Sequence, residues 1–338
     1  MAPREKAFLL ARPEGAVLRW IARRVPARLV PDHFTVLALV AAVGIAAAYA
    51  LSGAHPWLLW AAAGLLVVHW LGDSLDGTLA RERRIERPRY GYYLDHLADA
   101  VATALIGIGL GLSPHLALAS GMALVIAYFA LSINTYLETH ALGVFRLGYG
   151  RLGPTEARLA LIGVTVALAL GVALPLDAIV LGASAVMAAG LALRAAAVLR
   201  ELARREPAPR YGYYLDHLAD AFATALVGLG LGLSAQMHLA AGLVLVIAYL
   251  ALSINSYLET QALGRFTLGY GRLGPTEARL ALIALLSAVA LGAEVSFHGL
   301  TLLDVTALGA AGAMVLALLA RAAGNLRLLA EREPYTTS

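Results

Sequence analysis

His69-Trp-Leu-Gly-Asp73-Ser-Leu-Asp76-Gly77-Thr-Leu-Ala80-Arg81 closes one long apolar stretch of the chain, and Gly91-Tyr-Tyr-Leu-Asp95-His-Leu-Ala-Asp99 opens the next. Asp73, Asp76 and Ala80 stand at i, i+3 and i+7, on one face of a helix, and Asp95 and Asp99 stand at i and i+4. At the helical rise Asp73 lies roughly 12 Å inward from Arg81. Two adjacent antiparallel helices would therefore bring four carboxylates together at one depth. Their apolar setting decides the fold class, because acids inside membrane helices are costly and mark function.

That setting extends over the whole chain. Of 338 residues 60% are hydrophobic and 14% charged, and mean hydropathy is +0.74. This is beyond the usual range of soluble domains. Ten apolar runs of spanning length are expected at about 34–51, 57–80, 91–112, 116–137, 156–174, 177–199, 212–233, 237–258, 278–296 and 301–320. All 26 Lys and Arg fall in 1–33, 81–90, 138–158, 193–210, 259–279 and 320–338, and the alternate loops hold none. The positive-inside rule then puts both termini, and the acids near Arg81, on the cytoplasmic side of an inner membrane, bacterial or archaeal in style. No cleavable signal is evident. Residues 14–25 mix Val17, Leu18, Trp20, Ile21 and Val25 with Arg19, Arg23 and Arg24, the pattern of an amphipathic helix on the membrane surface.

Residues 89–159 recur at 210–280 with a constant offset of 121 and 56 identities in 71 positions. Arg194–Pro207 resembles Arg321–Pro334 after a further shift of six. Each copy holds four spans, so the copies are parallel, which argues against an inverted-repeat transporter. The first two spans, with Asp73 and Asp76, are not copied. The expected organisation is a six-span catalytic unit over 1–206, with 1–33 cytoplasmic or interfacial, and a four-span partial duplicate over 210–333.

Four carboxylates in a low dielectric cannot all stay ionised without countercharge. No Lys or Arg is expected inside a span beside them, which disfavours buried ion pairs. Oxygen-only ligands suit Mg²⁺, Mn²⁺ or Ca²⁺, and two such ions could clamp a diphosphate. Gly77 leaves the helix face bare for a ligand. The chain has no cysteine, which excludes thiolate sites and nucleophiles.

The pattern Asp73-x2-Asp76-Gly77-x2-Ala80-Arg81-x9-Gly91-x3-Asp95-x3-Asp99 resembles the full signature of the CDP-alcohol phosphotransferases. The resemblance covers residues 1 to about 206. Pro31-Asp32-His33-Phe34-Thr35 also resembles the family's first-span start, with Asp32 where Asn is usual. The resemblance implies an all-α six-span bundle in which Asp73, Asp76, Asp95 and Asp99 hold two Mg²⁺ or Mn²⁺ ions. It further implies that Asp99 is general base, that Thr35, Gly77, Ala80 and Gly91 line the cytidine site, and that Arg81 contacts phosphate. Donor and acceptor would be CDP-diacylglycerol with a polar alcohol, or a CDP-linked headgroup with a lipid alcohol. CMP would leave, in phospholipid synthesis. Family members commonly dimerise, so a homodimer is expected, or a pseudo-dimer built from the repeat.

Gly148-Tyr-Gly-Arg-Leu-Gly153 matches a dinucleotide pattern but has no strand before it, and no nucleic-acid partner is expected. Gly153-Pro-Thr-Glu-Ala-Arg158 reads as a helix start and equally resembles a motif in the choline and ethanolamine branch of the same family, which implies acceptor contacts from Glu156 or Arg158, with Arg151 nearby. Gly107, Gly109 and Gly111 read as packing residues, and His96 and His217 as outward-facing neighbours rather than bases. Arg83–Arg89 is a topology determinant. A non-catalytic scaffold or regulator and an ion-coupled transporter stand as the alternatives.

Overall fold

A computed structural model describes residues 4–5, 11–146, 153–205, 208–266, 274–293 and 296–335. It is helical almost throughout: α1 (Ala11–Ala22), α2 (Pro31–Leu51), α3 (Leu58–Arg83), α4 (Pro88–Gly111), α5 (Leu118–Leu142), α6 (Pro154–Ala169), α7 (Leu176–Arg205), α8 (Ala208–Gly232), α9 (Leu239–Leu263), α10 (Pro275–Ala290) and α11 (Leu302–Arg332). Two short strand pairs complete it. Arg4–Glu5 runs parallel to Phe145–Arg146, and Ser296–Phe297 runs antiparallel to Leu300–Thr301.

Every predicted span falls on a helix, α2 to α11 in order, but the helices are not alike. Seven among the described residues are long and apolar enough to cross a membrane: α2, α3, α4, α5, α7, α9 and α11. Seven of the ten expected spans thus meet that measure of length and composition. At 16 residues each, α6 and α10 rise only about 24 Å, short of a typical hydrocarbon core. Asp216, His217 and Asp220 lie in the first half of α8. The outward face of α2 shows why the bundle suits lipid. Val36, Val40 and Val43 are exposed there, while Ala38, Ala41, Ala42 and Ile45 are buried against neighbouring helices. With water as the only solvent such a face would be unstable; in acyl chains it is matched. The protein is a polytopic integral membrane protein.

Small residues set the helix spacing. A Cβ on Gly109 would lie 2.5 Å from the Ala46 Cα, and one on Gly121 would lie 2.5 Å from the Gly107 carbonyl. The predicted packing role of Gly107, Gly109 and Gly111 holds, with α2 against α4 and α4 against α5 at near backbone contact. Gly230, the repeat's counterpart of Gly109, meets nothing within 4 Å, because no copy of α2 exists to cover it.

The repeated helices pack on one another with local two-fold character. α5 lies along α9, while α4 crosses to α9 and α5 to α8. The Tyr93 hydroxyl donates to the Asn255 carbonyl oxygen, and Tyr214 donates to that of Asn134. The pairs are reciprocal: Tyr214 is the repeat's counterpart of Tyr93, and Asn255 that of Asn134. All four residues are fully buried, so each hydroxyl and amide finds a partner across the seam instead of water, and the Asn325 amide also donates to Tyr93 at 3.2 Å. Within each copy an ion pair joins the second and fourth helices, Glu138 with Arg194 and Glu259 with Arg321.

α1 begins three residues before the predicted amphipathic stretch and ends three earlier. Leu18 and Ala22 are buried against Leu75 and Leu79 of α3, while Val17 and Trp20 on the opposite side are exposed. Arg83, at the end of α3, donates to the carbonyls of Val25 (2.6 Å) and Leu29 (2.5 Å). That ties the α1–α2 connection to the helix carrying Asp73 and Asp76.

Candidate active site

α3 and α4 run antiparallel and bring the predicted acids together. One carboxylate oxygen each from Asp73, Asp95 and Asp99 lies within 4.8 Å of the others. Asp76 stands beside them with a different partner: the Thr35 hydroxyl donates to it at 2.7 Å, with both side chains buried. Thr35, expected from the resemblance to line the cytidine site, holds Asp76 in orientation in the structure. The donor set is all carboxylate, half-buried and convergent, which fits hard divalent cations and no soft ones.

Arg158 overturns one expectation. The cluster does have a cation from within a helix: the Arg158 guanidinium pairs with Asp73 at 2.7 Å and with Asp99 at 3.3 Å. It projects from the second turn of α6, far along the chain from α3, and only helix packing brings it there. Glu156, two residues earlier, turns back to accept from the Gly153 N–H at 2.9 Å, the contact of a helix start. Arg151 lies outside the described residues.

Beside the acids opens a cavity of about 460 Å³, and Asp76 and Asp95 form part of its wall. All five residues expected at the nucleotide line it: Thr35, Gly77, Ala80, Arg81 and Gly91. Nothing lies within 4 Å of the place a Cβ on Gly91 would take, and at Gly77 only the Arg81 guanidinium is near, at 3.3 Å. Helix packing does not require glycine at either position, so the space belongs to the cavity. Arg81 reaches Thr78 at 3.2 Å along its own helix.

Several contributors have no signal in the pattern that locates the acids. Glu14 of α1 accepts from the Trp70 indole (3.1 Å), the Ser74 hydroxyl (3.3 Å) and the Thr155 hydroxyl (2.9 Å). It thereby joins α1, α3 and α6 next to Asp73 and Arg158. Asp32 binds Arg87 at 3.1 Å and accepts from the Tyr90 hydroxyl at 3.1 Å. Its charge has a partner that the usual Asn would not supply. Burial opposes the charge of Arg87, but Tyr335, Asp32 and Tyr90 outweigh it and hold the guanidinium's pKa above its ordinary value.

The histidines correct the reading of His96 and His217 as outward-facing. His96 is buried, with its Nδ1 2.8 Å from the Tyr92 carbonyl and its ring 5.7 Å from that of Tyr136. His217 is enclosed by Tyr213, Tyr257 and Phe266. The corresponding acids of the repeat converge on no comparable centre. Asp216 is largely exposed, and Asp220 meets Arg279 at 3.3 Å with both exposed.

The fold and site are thus an all-helical membrane bundle whose carboxylates meet beside a half-open cavity. The chain belongs to the CDP-alcohol phosphatidyltransferase family, whose model matches residues 28–196. No curated protein matches it.

Proposed function

We propose that the protein transfers a substituted phosphate group from a CDP-linked donor to an alcohol in phospholipid synthesis, releasing CMP. The observation that carries this reading is the cavity walled by Thr35, Asp76, Gly77, Ala80, Arg81, Gly91 and Asp95, continuous through Asp95 with the cluster of Asp73 and Asp99. Mg²⁺ or Mn²⁺, as two ions held by Asp73, Asp76, Asp95 and Asp99, would neutralise the diphosphate. Gly77, Ala80 and Gly91 leave room for cytidine, and Arg81 pairs with a phosphate oxygen. Asp99 takes the proton of the acceptor hydroxyl. The acceptor oxygen then bonds to the phosphorus distal to cytidine as the bridging P–O bond breaks, and CMP leaves with that electron pair.

Arg158 touches Asp99, which supports an acceptor site on that side, with Glu156 and Arg151 as further contacts. The distribution of Lys and Arg supports cytoplasmic termini and a cytoplasmic active site in a ten-span inner-membrane protein. α1 is proposed to lie in the membrane surface. Helices from 210–333 take the part of a built-in partner to the catalytic unit 1–206, a reading supported by the reciprocal Tyr93–Asn255 and Tyr214–Asn134 pairs.

The test is CMP release in nanodiscs from CDP-diacylglycerol with polar alcohols, and from CDP-linked headgroups with diacylglycerol, with and without Mg²⁺. Mg²⁺-dependent release from one donor class is expected. Asp99→Asn should lower kcat by about a hundredfold or more, the usual loss for a general base, and leave CMP affinity within about threefold. No release from either donor class would refute the reading and return the transporter or scaffold to consideration.

A further inference from the structure

The cavity is not walled by the first 206 residues alone. Gln261 of α9 and Tyr335, just beyond α11, also line it. Glu333 and Tyr335 are bound there by a set of specific contacts. The Glu333 carboxylate accepts from the backbone N–H groups of Arg89 (3.0 Å) and Tyr90 (3.1 Å), capping the first turn of α4. Its carbonyl accepts from the Arg87 Nε at 2.7 Å. The Tyr335 hydroxyl donates to Asp32 at 2.9 Å, whose other oxygen takes Arg87 and Tyr90. The Arg87 guanidinium lies 3.4 Å from the centre of the Tyr90 ring and 4.4 Å from that of Tyr335, and its side chain is 8% exposed.

These contacts act where the site is most sensitive. Arg87 and Pro88 start the helix that presents Gly91 to the cavity one turn later and Asp95 to the carboxylate cluster after that. Asp32 precedes Thr35 by one turn on α2, and Thr35 holds Asp76. A guanidinium fixed by one carboxylate, one carbonyl and two rings has little rotamer freedom left.

We infer that the C-terminal segment Glu333–Tyr335 is a positioning element of the donor site, holding Arg87 and the start of α4 in the conformation that binds a cytidine diphosphate-linked donor. The inference rests on reading the cavity as the donor pocket. It gives the end of the repeat a part in the work of the first unit. Tyr335 acts through Asp32 and Arg87 and makes no bond that changes in the reaction, so its loss weakens donor binding and leaves the chemical step intact.

Full-length Tyr335→Ala and Tyr335→Phe, in nanodiscs with Mg²⁺, test this by donor KM, kcat, CMP affinity and melting temperature. Tyr335→Ala removes a charge-assisted hydrogen bond and a cation–π contact, so donor KM and the CMP dissociation constant should rise about tenfold together, with kcat within about twofold. Tyr335→Phe keeps the ring over Arg87, and its rise should be about threefold. If Tyr335→Ala melts well below the wild type, the KM of Tyr335→Phe decides, since it lacks one hydroxyl only. KM and CMP affinity unchanged in both variants, or a loss confined to kcat, overturns the inference while wild-type turnover leaves the donor reading standing. A wild type that neither binds nor releases CMP overturns both.

Discussion

Arg158→Gln separates the two sources of positive charge in the carboxylate cluster. In the structure one guanidinium serves both Asp73, at 2.7 Å, and Asp99, at 3.3 Å, with side-chain exposures of 17%, 16% and 31% for Arg158, Asp73 and Asp99. Removing one member of a fully buried pair costs about 3–5 kcal/mol. The partial exposure of Asp99 lets solvent offset part of that, which leaves roughly 2–3 kcal/mol for this site. With EDTA present, Arg158→Gln should therefore unfold more easily by about that amount in mixed detergent micelles. Saturating Mg²⁺ replaces the missing charge, and the deficit should fall below about 1 kcal/mol. Mg²⁺ should also bind the variant at least as tightly as the wild type, since no guanidinium need be displaced from Asp73. A destabilisation of equal size in EDTA and in Mg²⁺ would refute the idea that ion and arginine serve as alternative countercharges.

Gly91→Leu and Gly109→Ala should part company. The first points into open cavity, so donor KM should rise about tenfold with little change in melting temperature. The second drives a methyl to 2.5 Å from the Ala46 Cα, and stability should fall by about 1–3 kcal/mol; equal melting temperatures for the two would contradict the packing described. Asp216→Ala combined with Asp220→Ala should leave kcat within about twofold and stability within about 1 kcal/mol, because Asp220 and Arg279 form an exposed pair. A hundredfold loss of turnover in the folded double variant would place chemistry in the repeat.

The parts of this site that are legible in the sequence share a property: each is set by spacing within one helix or between adjacent helices. Asp73 and Asp76 share a face of α3, Asp95 and Asp99 share a face of α4, and a short connection makes the two helices antiparallel neighbours. What the sequence hides depends on which distant helix arrives where. Arg158 is on α6, whose crossing of α3 no local pattern encodes, and so the spans around the acids offer no cation of their own. His96 stands one residue from Asp95, yet α5 covers it with Tyr136. Arg87 reads as one basic residue among several near a membrane boundary, although Asp32, Tyr90 and Tyr335 surround it.

The incomplete repeat follows the same division. The buried Tyr–Asn pairs that join the copies come from α4 and α5 on one side and from α8 and α9 on the other, all within the duplicated sequence. Asp73, Asp76, Gly77 and Arg81 come from α3, which has no copy. Duplicating the last four helices alone therefore reproduces the seam without reproducing the site. The uncovered Gly230 marks where α2 would have packed, and the exposed Asp216 marks where the partner acids of α3 would have stood. A second copy with those helices would set four half-buried carboxylates against Arg279, the counterpart of Arg158, and would need metal to balance the rest. The shorter repeat carries two exposed ones, which solvent can stabilise, and so keeps the packing surface without that electrostatic cost.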